Sequence, residues 1–282
     1  MKILLLSLPI ILLTACSAAG SLVKESALSL TEREGKESFT LAGEMPAHFL
    51  IQATARFNAL NPERCQVYNM GLGHDVTRDA SKQYSTEFQD NPSPFSFDIP
   101  LTYRIGGCDM ELGGIGLLIR GRYGDQRWQH HRSTGGIGIA ATRPMGAPEF
   151  DPGGTQTLRG LCTWLFQLSK ARARQGLISK VLSCSETDES WELDPDFVKR
   201  RSIGTVLGRD ELSGKKLVLE LRVNQEERPA MRETWIRFPE GWKPCAEEDT
   251  PEGKWKWCRN PPSFRTFSMG GEECTVYPNC KE

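Results

Sequence analysis

This chain has few of the residues from which familiar active sites are built. Its 282 residues include only four histidines, and no two cysteines have the Cys-x-x-Cys spacing. The common zinc and thioredoxin-like arrangements are therefore excluded. His-Glu-x-x-His, Gly-x-Ser-x-Gly and calcium-loop patterns are also missing. No sign of charge dominates, with 35 basic against 36 acidic residues. A nucleic-acid binder needs a basic excess or stripe to meet the phosphates, so that class is set aside.

Several short patterns imitate sites without their context. His130-His131 with Ser133 suggests acid/base or metal chemistry, but neighbouring residues of a strand point to opposite faces, so at most one histidine can serve a given site. Gly136-Ile137-Gly138 followed by Ala141 matches part of a dinucleotide fingerprint but lacks the βαβ unit that gives the pattern meaning. Gly71-Leu72-Gly73-His74-Asp75 reads as a loop. Ser213-Gly214-Lys215-Lys216 fits Ser-x-x-Lys, yet it lies between Asp210-Glu211 and an alternating segment, where a hairpin turn is expected. No cofactor and no metal are expected, and the chain reads as a binding protein rather than an enzyme.

The first residues carry a clearer signal. A single lysine, Lys2, precedes the apolar stretch Ile3 to Leu13, which has the length of a signal-peptide core. It falls short of the roughly 20 apolar residues that cross a bilayer. Leu13-Thr14-Ala15-Cys16 follows directly and resembles a bacterial lipobox. The resemblance implies cleavage after residue 15 and lipidation of Cys16. Ser17 stands where an aspartate would favour inner-membrane retention, so the same resemblance implies the periplasmic face of the outer membrane. Residues 16–36 are small and polar and read as a tether.

With Cys16 set aside, eight cysteines remain, an even number suited to an oxidising compartment. Eight cysteines permit on the order of a hundred connectivities. Sequence neighbours that bracket turn-containing segments pair most simply, giving Cys65–Cys108, Cys162–Cys184, Cys245–Cys258 and Cys274–Cys280.

Apolar residues recur with the strand period of two. Ile51, Ala53, Ala55 and Phe57 alternate with Gln52, Thr54 and Arg56. Phe95 to Ile105 alternates throughout, and Pro100 within it argues for a sheet edge. Gly106-Gly107 then turns the chain into a strand carrying Ile115, Leu117 and Ile119, so a hairpin is expected. Residues 158–184 fit either a helix with Leu158, Leu161, Leu165 and Leu168 on one stripe, or a hairpin. The hairpin is preferred because it sets Cys162, Trp164, Phe166 and Leu168 opposite Cys184, Leu182, Lys180 and Ile178. Leu217, Leu219, Leu221 and Val223 form a further alternating set, with Thr234 to Phe238 as a candidate partner. The expected fold is mainly β, an antiparallel sandwich over residues 37–238 that admits a division near residue 150 into two packed β units. Residues 239–282 hold four cysteines with Trp242, Trp255 and Trp257, and read as a stapled aromatic tail whose rings form a small private core or a docking surface.

The segment Leu161-Cys162-Thr163-Trp164-Leu165-Phe166-Gln167-Leu168, with Lys180-Val181-Leu182-Ser183-Cys184, resembles lipoproteins that serve as immunity proteins against type VI secretion phospholipase effectors. That resemblance implies a protein partner, a secreted lipase held inactive by a covered active-site mouth or a blocked approach to its membrane. It carries over no catalytic residues. The contact surface expected for such a role is the basic turn Lys170, Arg172 and Arg174 together with Trp255 and Trp257. A solvated loop, or contact with anionic lipid head groups, is the alternative for the basic turn. A structural or assembly lipoprotein of an envelope complex is the alternative function, and a periplasmic hydrolase using carboxylates without recognisable spacing is a third.

Overall fold

The computed structural model describes residues 32–168, 177–196, 199–231, 234–246, 258 and 260–281. Two packed β-sheets dominate it. The first contains β1 (Arg33–Glu34), β3 (Phe49–Ala59), β6 (Asp79–Ser85), β8 (Thr102–Ile105), β9 (Cys108–Arg122), β10 (His130–Ala140) and β13 (Gly204–Gly208). The second runs in the order β12 (Ile178–Thr187), β11 (Thr155–Leu168), β14 (Lys216–Val223), β2 (Ser38–Met45) and β7 (Ser93–Pro100), with β15 (Arg228–Pro229) also on β11. Three two-stranded ribbons complete it: β4 (Gln66–Asn69) with β5 (His74–Thr77), β16 (Trp235–Phe238) with β17 (Gly241–Pro244), and β18 (Phe267–Met269) with β19 (Glu272–Cys274).

The alternation in the sequence translates into burial. Along β3, Ile51, Ala53, Ala55 and Phe57 are fully buried while Arg56 and Asn58 face solvent. Across the sandwich they join Ile115, Leu117 and Ile119 of β9 and Leu217, Leu219 and Leu221 of β14 in one apolar cluster. This cluster takes residues from Phe39 to Leu221, so the chain is not divided near residue 150. Gly106 and Gly107, both at positive φ, make the expected tight turn between β8 and β9.

Order between strands follows rules that local periodicity does not carry. β14 pairs in parallel with both β11 and β2, and β13 pairs in parallel with β10. The alternating run from Phe95 to Ile105 is two strands: β7 ends at Pro100 on the edge of the second sheet, and β8 begins at Thr102 in the first. Proline ends the ladder because it has no N–H to donate, and Leu101 turns into the core at the corner. Thr234 to Phe238 does not pair with β14, since Trp235–Phe238 is taken by β17. Ser213-Gly214 is a turn at positive φ, but the strands on either side of it, β13 and β14, belong to different sheets rather than to a hairpin.

Residues 158–184 form strands, with Cys162, Trp164, Phe166 and Leu168 opposite Cys184, Leu182, Lys180 and Ile178. Cys162 and Cys184 are disulfide-bonded with Cα atoms 3.9 Å apart, and Cys65–Cys108, Cys245–Cys258 and Cys274–Cys280 are likewise joined. The outer edge of β12 is covered: Glu186 N donates to Arg201 O at 2.9 Å, Cys184 N donates to Ser133 Oγ at 3.0 Å, and Lys180 N donates to the Tyr123 hydroxyl oxygen at 3.1 Å. A stitched edge cannot template pairing with another chain.

The expected tether ends sooner than residue 36. Glu34 pairs opposite Tyr103, Gly35 N donates to Thr102 O at 2.9 Å, and the Tyr103 hydroxyl donates to Glu32 at 2.7 Å. Residues 32–36 thus belong to the folded domain because β8 offers them an open ladder edge. Cys16 and the rest of the tether lie outside the described residues.

Two outcomes test this packing. A Cβ at Gly43 would stand 2.2 Å from the Leu219 carbonyl oxygen and 2.9 Å from the Phe95 ring, so Gly43→Ala is expected to lower stability in urea unfolding by about 1–3 kcal/mol. Burial, then the hydrogen bond to Glu32, raises the Tyr103 phenol to about 12. The folded state therefore keeps a proton that the unfolded chain releases above about pH 10, and stability present below that pH is lost as pH rises toward 12. Urea midpoints measured across this window are expected to fall less steeply in Tyr103→Phe.

Candidate partner-binding surface

β11 is longer than the sandwich is deep, and its last residues enter a second apolar cluster. There Phe166 and Leu168 meet Trp235, Phe267, Cys274 and Tyr277, with Trp242 packed alongside. Phe166 is the hub, its ring centroid 4.2 Å from that of Tyr277, 4.9 Å from Trp235 and 6.0 Å from Trp242. Trp242 thus helps form a private core of the tail rather than a detached docking ring. This core begins before residue 239, because Trp235 and the end of β11 both belong to it.

Between this second core and the sandwich lies an open cleft of about 410 Å³, lined by Lys180, Glu226, Glu227, Arg237, Trp242 and Tyr277 among others. Lys180 Nζ lies 2.6 Å from Glu227 Oε1, and the Tyr277 hydroxyl donates to the other oxygen of the same carboxylate. The ammonium also lies 5.5 Å and 5.9 Å from the ring centroids of Tyr123 and Tyr277, close enough for attraction by both faces. Burial, then the hydrogen bond to Glu227, pushes the Tyr277 phenol far above its ordinary value, so it remains a donor. Beside this group, Glu226 pairs with Arg237, whose guanidinium lies 5.4 Å from the Trp242 ring centroid. Gly241 lets the floor close: at φ 144° it carries no Cβ, which would stand 2.3 Å from the Tyr277 carbonyl oxygen. Trp242 and Tyr277 then exchange both backbone hydrogen bonds, at 2.8 Å and 2.9 Å.

Among the described residues, the cleft lining contains no serine, cysteine or histidine. Lys180 is paired with Glu227 and Arg237 with Glu226, and aromatic faces lie beside both cations, a composition suited to recognition. Among the described residues no group of three or more His, Cys, Asp or Glu is arranged to hold a metal ion.

The other sequence patterns have structural duties. Ser133 Oγ accepts from Cys184 N and ties β10 to β12. His130 packs against Phe88 at 5.5 Å, and burial holds His131 below the ordinary imidazole range. Gly136 to Gly138 lie on β10 paired with β13; a Cβ at Gly204 would stand 2.6 Å from the Gly136 carbonyl oxygen, and one at Gly135 2.3 Å from the Ile203 carbonyl oxygen. Gly204 and Gly135 thus admit a neighbouring backbone.

Lys170, Arg172, Arg174, Trp255 and Trp257 lie outside the described residues. The residues that flank them do not. Leu168 precedes the basic turn and Cys245 precedes the segment carrying the two tryptophans, and both line one small cavity with Trp235, Pro244 and Arg265. Leu177, on the far side of the basic turn, bridges to Ser268 of β18. Leu168, Leu177 and Cys245, which are described residues, thus lie at the second core. Sequence reading missed the adjoining cleft, because Lys180, Glu227 and Tyr277 come from three distant segments with no shared spacing. No family model, curated protein or solved structure matches this chain.

Glu227 receives both Lys180 and Tyr277, so its removal strands two partly buried donors. Glu227→Ala is expected to lower stability by about 1–3 kcal/mol in urea unfolding. Lys180→Met combined with Glu227→Leu is expected to cost less than the sum of the single changes, since the pair leaves together.

Proposed function

We propose that this protein is a lipid-anchored periplasmic immunity protein that binds and neutralises a lipase or phospholipase effector of type VI secretion. The observation that supports the reading is that the segment carrying the resemblance, Leu161 to Leu168 with Lys180 to Cys184, forms the paired strands β11 and β12 joined by the Cys162–Cys184 disulfide. Lys170, Arg172, Arg174, Trp255 and Trp257 are the contact residues in this reading. Arginine and tryptophan are the residue types that concentrate binding energy at protein interfaces. Four joined cysteine pairs fit an oxidising compartment and support export. The lipobox resemblance at Leu13-Thr14-Ala15-Cys16 supports anchoring through Cys16, and Ser17 supports the outer membrane.

Inhibition in this reading is steric. The protein covers the mouth of the lipase or the surface with which it approaches lipid, and supplies no chemistry of its own.

An immunity protein of this kind is normally encoded beside its lipase, and that lipase is the probe. With the acyl-free Cys16→Ser mature chain, titration calorimetry is expected to show saturable binding. Reversing Lys170, Arg172 and Arg174 together to glutamate is expected to weaken it about 10-fold to 100-fold, with the largest loss at low salt. Trp255→Ala is expected to cost about 2 kcal/mol of binding free energy. Unchanged affinity in both variants would remove residues 170–174 and 255 from the contact.

A further inference from the structure

Exposed apolar side chains are not spread evenly over this molecule. Leu60, Tyr68, Met70 and Leu72 are 57%, 56%, 60% and 62% exposed, half of all large hydrophobic residues exposed among those described. Three of them belong to one projection, the β4–β5 hairpin, which contributes no residue from its tip to either core. Its only apolar pair facing inward is Val67 opposite Val76.

The tip is a fixed shape. Asn69 Oδ1 accepts from Gly71 N at 2.9 Å and Leu72 N at 3.1 Å, while Asn69 O accepts from Gly73 N at 2.8 Å. Gly73 closes the turn at φ 73°. His74 Nδ1 lies 3.1 Å from Leu72 O. The turn thus satisfies the amides of Gly71, Leu72 and Gly73 within itself while leaving the Met70 and Leu72 side chains exposed. Such a tip can leave water at low cost, because unsatisfied peptide groups are the main penalty for backbone entering hydrocarbon.

Its place in the fold indicates the occupant. The hairpin begins at Cys65, which is bonded to Cys108 at the β8–β9 turn. β1 runs antiparallel to β8, with Arg33 opposite Arg104, so the chain traced back toward Glu32 heads for that same turn. Sixteen residue steps separate Cys16 from Glu32, a reach of at most about 58 Å when extended. An acyl chain on Cys16 would therefore keep the domain within that reach of the bilayer, attached at the end that bears the apolar hairpin.

We propose that the β4–β5 hairpin is a second membrane contact, with Tyr68, Met70 and Leu72 entering the interfacial layer of a phospholipid bilayer. Tyrosine with aliphatic neighbours suits that layer. The contact is apolar, since the charged residues around the hairpin, Glu63, Asp75 and Asp79 with Arg64 and Arg78, carry a slight acidic excess that gives no attraction to anionic lipid. Together with the lipid it fixes the orientation of the domain, rather than leaving it to swing on a single point. The placement rests on the anchoring part of the functional reading, whereas the lipid affinity of the hairpin does not.

The test uses the mature chain with Cys16→Ser, which has no acyl group, and vesicles of phosphatidylethanolamine and phosphatidylglycerol. The protein is expected to float with the vesicles, and Met70→Glu with Leu72→Glu to reduce the bound fraction about fivefold or more. Raising salt is expected to change binding little, and Tyr68→Trp to add blue-shifted emission when vesicles are present. Matching circular dichroism and thermal unfolding of the glutamate variant show that its fold is intact. Absence of flotation overturns the proposal, as does equal flotation of the glutamate variant or binding that salt abolishes. A glutamate variant that loses the neighbouring lipase, when neither protein floats, makes the hairpin a protein contact and overturns it too. Mass spectrometry of Cys16 in the native envelope tests the anchor separately, so failure of either reading is visible alone.

Discussion

A strand that leaves one apolar core and enters another must bury both of its faces on the way. β11 does this from Cys162 to Phe166, five consecutive residues that are all buried. Before them Leu158 faces the sandwich core, and after them Leu168 faces the core of the tail. β12 follows β11 over its full length and is fixed to it by the Cys162–Cys184 disulfide. β14 and β15 flank the other side in parallel. The two cores are thereby coupled through one pair of strands, and the tail is held as a packed continuation of the sandwich rather than as a free appendage.

That coupling brings Leu168 of β11 beside Trp235, Pro244 and Cys245 of the tail. A cross-linked strand pair gives this junction a stiff base. The Lys180–Glu227–Tyr277 group lines the open cleft, while Leu168, Trp235 and Cys245 line the small cavity. The apolar β4–β5 hairpin is rooted elsewhere, through Cys65, at the β8–β9 turn toward which the N-terminal strand leads. In the proposed account these are separate duties, one set of residues for the lipase and another for the lipid surface.

Local pattern made a large part of the fold legible. The period of two named the buried sides of β3, β9 and β14, and two glycines gave the β8–β9 turn. Residues 162–166 were ambiguous for a physical reason: burial on both faces removes the alternation that separates strand from helix, leaving an apolar run compatible with either. The corner at Pro100 was hidden because alternation continues across Leu101 while the chain changes sheets. The parallel pairing of β14 with β2 and β11, and the ribbon that takes Trp235–Phe238, depend on contacts between distant segments. The cleft was illegible for the same cause, whereas the basic turn and Trp255 with Trp257 stood out by composition.

The central claim, that this protein protects its cell from a secreted lipase, is tested most directly by survival. Cells lacking the gene, and the same cells complemented with it, would be challenged by a neighbour that delivers the lipase encoded beside it, and by that neighbour with the lipase inactivated. The account predicts loss of viability and membrane damage only where the protein is missing and the lipase is active. Equal survival with and without the protein under attack by the active lipase would contradict it.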